Sequence, residues 1–131
     1  MAKSYIKPPL FVRRVFNPIA MRFGIADTLA VRGRNSGELR RVPITPVEVA
    51  GVRYLCSPRG TTFWALNLAA AGEGELRHKG NVQRFKAHDV PTEERAAIIV
   101  EYRKLVPKSV GKMFDQIPDV AEHPTFRIEP L

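Results

Sequence analysis

Apolar residues near the start of the chain recur at three- and four-residue spacings. Over residues 9–23 they lie opposite basic side chains, a pattern typical of an amphipathic helix that bends near Pro18. Two interpretations stay open: a cap packed on the rest of the protein, which we favour, and a surface helix that touches anionic lipid. We therefore expect residues 1–26 to form a helical extension and residues 27–131 to form the folded domain.

Beyond residue 26 the hydrophobic pattern becomes that of short strands. Runs rich in Val, Ile, Leu and Thr, bounded by turn-forming residues, predict strands at residues 27–32, 42–49, 52–57, 75–79, 82–90 and 125–129. The pairs Ala50-Gly51 and Gly80-Asn81 are typical of tight hairpin turns. About six short strands with helices between them predict an α+β fold, built on an antiparallel barrel that is closed or partly open.

Three segments of this domain have helical spacing instead. Residues 61–71 place Trp64 and Leu68 on one side, and Gly72 ends the segment. A second helix begins after Pro91 with Thr92 as its cap. Its buried stripe is predicted to be Ile98, Ile99, Tyr102 and Leu105. A proline at 107 ends this helix, and a short third helix is predicted at residues 109–116.

The charge balance favours anionic partners. Twenty-one Lys and Arg against 13 Asp and Glu give a formal net charge of +8 on 131 residues. Nucleic acid, anionic lipid and a polyanionic cofactor all suit such a field. We rank nucleic acid last and expect none to bind, because aromatic residues do not interleave the basic clusters as stacking platforms would.

Cys56 is the single cysteine, so the chain cannot form an internal disulfide. We expect Cys56 to be a small buried hydrophobe and the protein to work in a reducing compartment. No apolar run reaches the length of a signal-peptide core or a membrane span. The expected location is the cytoplasm, with membrane contact through residues 1–26 as the alternative.

The sequence lacks the motifs of several catalytic sites that work without an organic cofactor. One cysteine and three scattered histidines provide no paired metal-ligand spacing, so no metal site is predicted. The chain also has no Gly-x-Ser-x-Gly elbow and no complete phosphate-binding loop of the nucleotide-hydrolase kind. A bound cofactor is therefore expected to carry the chemistry.

The strongest local feature is the run GRNSGELRRVP at residues 33–43. Backbone N–H groups and Ser36 can point into this turn, and Arg34 and Arg40 supply forked donors that suit a phosphate or a carboxylate. The residues alone leave two readings open, an anion-binding turn and a solvated basic hairpin.

Together with residues further along the chain, this run resembles the deazaflavin-dependent nitroreductase family of actinobacteria. The resemblance rests on the pattern Gly33-Arg34-x-Ser36-Gly37-x-x-Arg40-x-x-Pro43, followed by Ser57 and by Trp64-x-x-Asn67-Leu68, and it runs from about residue 27 to the end. It implies a split antiparallel β-barrel that binds coenzyme F420, an 8-hydroxy-5-deazaflavin whose tail carries a phosphate and glutamate carboxylates. Flavin mononucleotide is the weaker cofactor candidate.

The resemblance also implies roles for individual residues. Contacts to the phosphate and tail are expected from Arg34, Asn35, Ser36, Gly37, Arg40 and Pro43. The ring and ribityl portion are expected to lie near Ser57, Arg59 and Gly60, with Trp64 and Asn67 completing the wall of the site.

Two departures from the family pattern concern the substrate and the tail. Residues 107–118 contain no tyrosine, whereas members that reduce nitroimidazoles have several there, and Asn35 stands where lysine is usual. We therefore expect Met113 and Phe114 to form an apolar substrate pocket, with Ser57 as a polarising donor for the substrate.

The leading hypothesis is a reductase that transfers hydride from reduced F420 to a small electron-poor substrate, namely an enone, a quinone or a nitro compound. One alternative is a non-catalytic carrier of lipid or another apolar ligand, and another is a flavin mononucleotide or haem binder on the same barrel. Monomer and homodimer both remain open.

Overall fold

The computed structural model describes residues 27–131, and the amphipathic helix predicted for residues 9–23 lies outside them. The strands are β1 (Asp27–Arg32), β2 (Leu39–Ile44), β3 (Val47–Val49), β4 (Val52–Cys56), β5 (Glu73–His78), β6 (Asn81–Asp89) and β7 (Thr125–Pro130). The helices are α1 (Phe63–Ala71), α2 (Thr92–Leu105) and α3 (Lys108–Gln116), followed by a 3-10 turn at Val120–Glu122. Within the described part of the chain, no helix is long and apolar enough to cross a bilayer.

All seven strands join one antiparallel sheet in the order β2-β1-β5-β6-β7-β4-β3. The α+β class is thereby confirmed. The two edge strands, β2 and β3, are consecutive in the chain and are separated only by Thr45 and Pro46. Since the chain passes from one edge of the sheet to the other in two residues, the sheet must curl on itself like a barrel wall.

This bend corrects the prediction of one strand at residues 42–49. Pro46 has no N–H to donate to a strand ladder, so the segment divides there. Its first part pairs with β1 and its second part with β4. The sheet consequently has seven strands where about six were expected.

The two predicted hairpins differ in outcome. Ala50 and Gly51 have φ of 52° and 80° and join β3 to β4, which confirms that turn. Between β5 and β6 the turn residues are Lys79 and Gly80, with φ of 48° and 84°, while Asn81 pairs with His78 in the ladder. The predicted turn at Gly80-Asn81 was therefore one residue too late.

Two hydrophobic clusters hold the domain together. The first fills the barrel beneath α1 and contains Leu29, Val31, Ile44, Leu55, Ala65, Leu68, Leu76, Phe85, Phe126 and Ile128. The second lies under α2 and α3 and contains Val47, Cys56, Val90, Ile98, Ile99, Tyr102 and Phe114.

The predicted stripe of α2 is confirmed at Ile98, Ile99 and Tyr102 but wrong at Leu105, which is 57% exposed. Leu105 is the last residue of the helix, and Val106, just beyond it, packs against the second cluster. At the other end, Pro91 rather than Thr92 is the N-cap residue, and no side chain caps the helix.

Candidate functional site

An open cleft lies between the turn after β1 and the start of α1. Its volume is about 740 Å³, within the range of small-molecule sites (roughly 300–1,000 Å³). Its lining residues are Gly33, Arg34, Asn35, Ser36, Leu39, Arg40, Arg41, Val42, Phe63, Trp64 and Asn67. The cleft therefore brings together the two sequence motifs, the turn and the tryptophan-asparagine helix, that lie about thirty residues apart in the chain.

The turn at residues 33–38 is closed by its own backbone. The Gly33 N–H donates to the Glu38 carbonyl at 2.8 Å, and the Gly37 N–H donates to the Gly33 carbonyl at 2.9 Å. Gly37 has φ of 72°, a conformation that favours glycine. The Ser36 hydroxyl oxygen accepts from the Glu38 N–H at 3.2 Å, so its own proton can still be donated to a ligand.

Asn67 fixes this turn to α1. Its side-chain oxygen accepts from both the backbone N–H of Arg34 at 3.1 Å and the Nη1 of Arg34 at 2.8 Å, and Asn67 is only 6% exposed. The Arg34 guanidinium also lies 5.7 Å from the centre of the Phe63 ring, a cation–π arrangement. The turn and the first turns of α1 are thus joined through Arg34.

The cleft is lined by positive charge. Arg34, Arg40 and Arg41 line it, and among the described residues no acidic side chain does. Arg40 lies 3.7 Å from the Glu38 carboxylate, but both side chains are largely exposed, and such a pair contributes little. A donor set of arginines, a hydroxyl and a glycine-containing turn suits phosphate and carboxylate oxygens, so the residues present fit the anionic tail of F420.

Apolar residues complete the cleft, and three of them were not among the predicted site residues. Leu39 and Val42 lie on β2, and Phe63, which is 67% exposed, begins α1 beside Trp64. An exposed aromatic residue next to the motif tryptophan was the available signal for Phe63. Arg41 was also missed, although it lies within the basic run.

Other expected contacts lie outside the lining of the cleft. Pro43 sits in β2 opposite Thr28, and Gly37 is at the turn. Ser57, Arg59 and Gly60 belong to the loop that leads from β4 to α1. They stay predicted cofactor contacts.

The geometry of Ser57 bears on its expected role as a donor. Ser57 is fully buried, its hydroxyl donates to the Gly60 carbonyl, and its Oγ lies 3.2 Å from the Thr62 hydroxyl. A serine has one proton to donate, and here the loop itself uses it. In this arrangement Ser57 stabilises the loop. To polarise a substrate, its hydroxyl would have to give up the hydrogen bond to the Gly60 carbonyl.

Phe114 likewise does not form the expected pocket wall. It is 6% exposed and packs against Tyr102, with ring centres 5.9 Å apart, and against His123, with ring centres 4.5 Å apart. Phe114 thus belongs to the second hydrophobic cluster. Met113 is half-buried, and neither residue lines the cleft.

Cys56 is a buried residue, as predicted. Loss of solvation on burial raises the pKa of its thiol to about 12, despite a hydrogen bond from Thr125 and the positive charge of Arg95. Cys56 therefore stays a neutral thiol and offers no nucleophile.

Comparison with known proteins identifies a family for the chain. Residues 11–118 match the model of the F420H(2)-dependent quinone reductase family, which is more than half of the chain. No curated protein matches the sequence.

Solved structures share the fold at low sequence identity. One is an F420-H2 dependent reductase (FDR-A), 18% identical, with 79% of this chain and 92% of that chain covered and a TM-score of 0.59. Another is HutZ, a heme storage protein from Vibrio cholerae, 13% identical, with coverage of 87% and 89% and a TM-score of 0.59. A third, described as a domain-swapped dimer, is 19% identical, with coverage of 79% and 78% and a TM-score of 0.57.

Proteins that bind different cofactors share this barrel, so the fold alone does not select one. The family match does identify the cofactor as F420. It confirms the resemblance from which F420 was predicted. The chain belongs to the F420H(2)-dependent quinone reductase family and is an F420-dependent oxidoreductase.

Proposed function

We propose that this reductase acts on apolar conjugated carbonyl compounds, namely quinones or enones, in the cleft between the turn at residues 33–38 and α1. The observation that carries the proposal is the mixed lining of the cleft. Three arginines line it together with four apolar or aromatic residues, Leu39, Val42, Phe63 and Trp64. The arginines suit a polyanionic tail, and the apolar residues suit a hydrophobic ring system.

The residues of the turn would hold the tail of F420. Arg34 and Arg40 supply charge-assisted donors, and Asn35, Ser36, Gly37 and Pro43 shape the path beside them. The loop Ser57–Gly60 and the residue Trp64 would lie near the ring. When bound, the reduced deazaflavin supplies a hydride to the substrate.

The protein's contribution is then orientation and exclusion of water. Arg34, fixed by Asn67, would anchor the tail so that the ring cannot slide along the cleft. Phe63 would provide an exposed aromatic surface on which a planar apolar substrate can lie.

The substrate preference follows from the hydrogen-bond donors at hand. A nitro group accumulates negative charge on its oxygens as it accepts hydride and needs donors to stabilise that charge. No tyrosine lies among the described residues that line the cleft. We therefore favour a quinone or an enone, which needs one donor, and membership of the F420H(2)-dependent quinone reductase family supports a quinone.

The test is a panel of acceptors assayed with reduced F420: a naphthoquinone, a cyclic enone and a nitroimidazole. We expect turnover of the quinone or the enone and slow turnover of the nitroimidazole. Efficient nitroimidazole reduction without quinone or enone activity would contradict the proposed substrate class. Flavin mononucleotide, titrated in parallel, should bind at least tenfold more weakly than F420, a difference of about 1.4 kcal/mol.

For the assembly we propose a homodimer. A fold relative is described as a domain-swapped dimer, which supports this choice over the monomer. Light scattering on the purified protein should give twice the chain mass of 14.7 kDa. A mass of one chain at assay concentration would refute the dimer. Cytoplasmic location and membrane contact through residues 1–26 stay predictions.

A further inference from the structure

His123 lies in the interior, 1% exposed, between the loop after β4 and the end of α3. Its Nδ1 is 2.8 Å from the Ser57 carbonyl oxygen, and its Nε2 is 2.6 Å from the Ile117 carbonyl oxygen. A neutral imidazole can donate to one of these carbonyls, and a doubly protonated ring can donate to both. The ring therefore bridges two backbone segments that are far apart in sequence.

The backbone of His123 is itself held in place. Its carbonyl accepts from the Thr125 hydroxyl at 2.9 Å and from Nη1 of the buried Arg95 at 3.3 Å. Its ring rests against Phe114 in the second hydrophobic cluster. An imidazole anchored in this way presents Nδ1 to Ser57 at a fixed position.

Ser57 connects His123 to the start of α1, which lines the cleft. Its N–H donates to the Pro124 carbonyl at 3.0 Å, and its hydroxyl is bonded to Gly60 and Thr62. The Thr62 carbonyl accepts from the N–H of Leu66 at 3.1 Å, in the first turn of α1. The helix that begins there carries Phe63 and Trp64, which line the cleft.

We infer that His123 is a positioning residue for hydride transfer: by donating from Nδ1 to the Ser57 carbonyl, it sets the loop and the start of α1 against the cofactor ring. This inference rests on the proposed placement of the ring beside that loop. The anionic tail is held by a different segment, the turn at residues 33–38. Loss of the Nδ1 contact should therefore slow hydride transfer while leaving F420 affinity nearly unchanged.

Two amide variants, which differ by one methylene group, test it. In His123→Asn the side-chain amide can occupy the place of Nδ1 and still donate to Ser57. In His123→Gln the amide reaches instead toward the place of Nε2 and the Ile117 carbonyl. Both variants lose the ring contact with Phe114, so a role confined to that packing predicts comparable effects.

The readout is the single-turnover rate with reduced F420 and a saturating naphthoquinone, together with the Kd for F420 and the Tm. We expect His123→Asn to stay within about threefold of the wild-type rate and His123→Gln to fall about tenfold or more, since small misplacement of reacting groups is costly. The Kd should change by less than about twofold in both variants, because the tail contacts dominate affinity.

Equal rates in the two variants, whether both lowered or both normal, would overturn the inference. An inactive wild-type protein would instead overturn the proposed function and this inference with it. If the variants do not fold, the wild-type protein can still be tested. Long-range proton–nitrogen NMR should show a proton on Nδ1 of His123. An unprotonated Nδ1 would contradict the proposal.

Discussion

Replacing Asn67 with aspartate should weaken F420 binding without unfolding the protein. The substitution keeps the size and shape of the side chain, and the oxygen that accepts from the backbone N–H and Nη1 of Arg34, at 3.1 and 2.8 Å, is retained. A carboxylate at this position would pair with the Arg34 guanidinium. One of the three positive charges lining the cleft would then be neutralised.

The magnitude follows from Coulomb's law. For a new negative charge roughly 7 Å from a cofactor anion, in a partly solvated site with an effective dielectric constant of about 40, the repulsion is about 1.2 kcal/mol. This corresponds to a loss of affinity of roughly eightfold at low salt. Screening should shrink the loss as ionic strength rises toward about 1 M, where the Debye length is about 3 Å.

The assay is titration of F420 fluorescence at two salt concentrations, with the Tm measured on the same samples. Asn81→Asp makes the same chemical change at an exposed position beside the β5–β6 turn and serves as the control. It should leave the Kd nearly unchanged. If Asn67→Asp binds F420 as tightly as the wild type at low salt, the electrostatic reasoning about this cleft is refuted.

Four further expectations concern separate parts of the structure. Arg40→Ala should weaken F420 binding by about 1 to 3 kcal/mol with an unchanged Tm, and an unaltered Kd would remove Arg40 from the tail site. In Gly33→Ala the new Cβ would lie 2.9 Å from the Ser36 hydroxyl oxygen, so the Ser36 side chain must move; F420 affinity should fall severalfold by titration, whereas equal affinity would show that Ser36 is not a tail contact. Phe114→Ala should lower the free energy of unfolding by about 3 to 5 kcal/mol in urea titrations, because Phe114 is a core residue, and a loss below about 1 kcal/mol would contradict its place in the core. Native Cys56 should resist alkylation at pH 8 and react after unfolding, because burial raises its pKa to about 12 and the thiolate forms only as pH approaches that value; rapid labelling of the folded protein would contradict its burial.

Local pattern was enough to predict much of the fold. Residues Thr28, Leu29 and Val31 marked β1, and the positive φ required by the turn at Ala50-Gly51 favoured the glycine found there. The stripe of Ile98 and Tyr102 followed from helical spacing. The bend at Pro46 was missed because it depends on which strands the two halves pair with, and that is a long-range property.

For the site too, locally determined features were predictable from the sequence and features set by tertiary packing were not. The turn at residues 33–38 was recognisable from its glycines and arginines, because its geometry is closed by local hydrogen bonds. Arg34 and Asn67 are 33 residues apart in the sequence, and no local pattern predicts their hydrogen bond. The burial of Phe114 and the internal hydrogen bond of Ser57 also depend on tertiary packing, so the sequence could not show that both side chains are engaged in the interior.

The central claim is that the arginine-lined cleft holds the anionic tail of F420, and one measurement tests it most directly. Purified protein is titrated with F420 and with the same deazaflavin lacking the phosphate and glutamate tail, under identical low-salt conditions. We expect F420 to bind with a micromolar or lower Kd and the tail-less compound to bind at least tenfold more weakly, a difference of about 1.4 kcal/mol or more. Equal affinities for the two compounds would contradict the account.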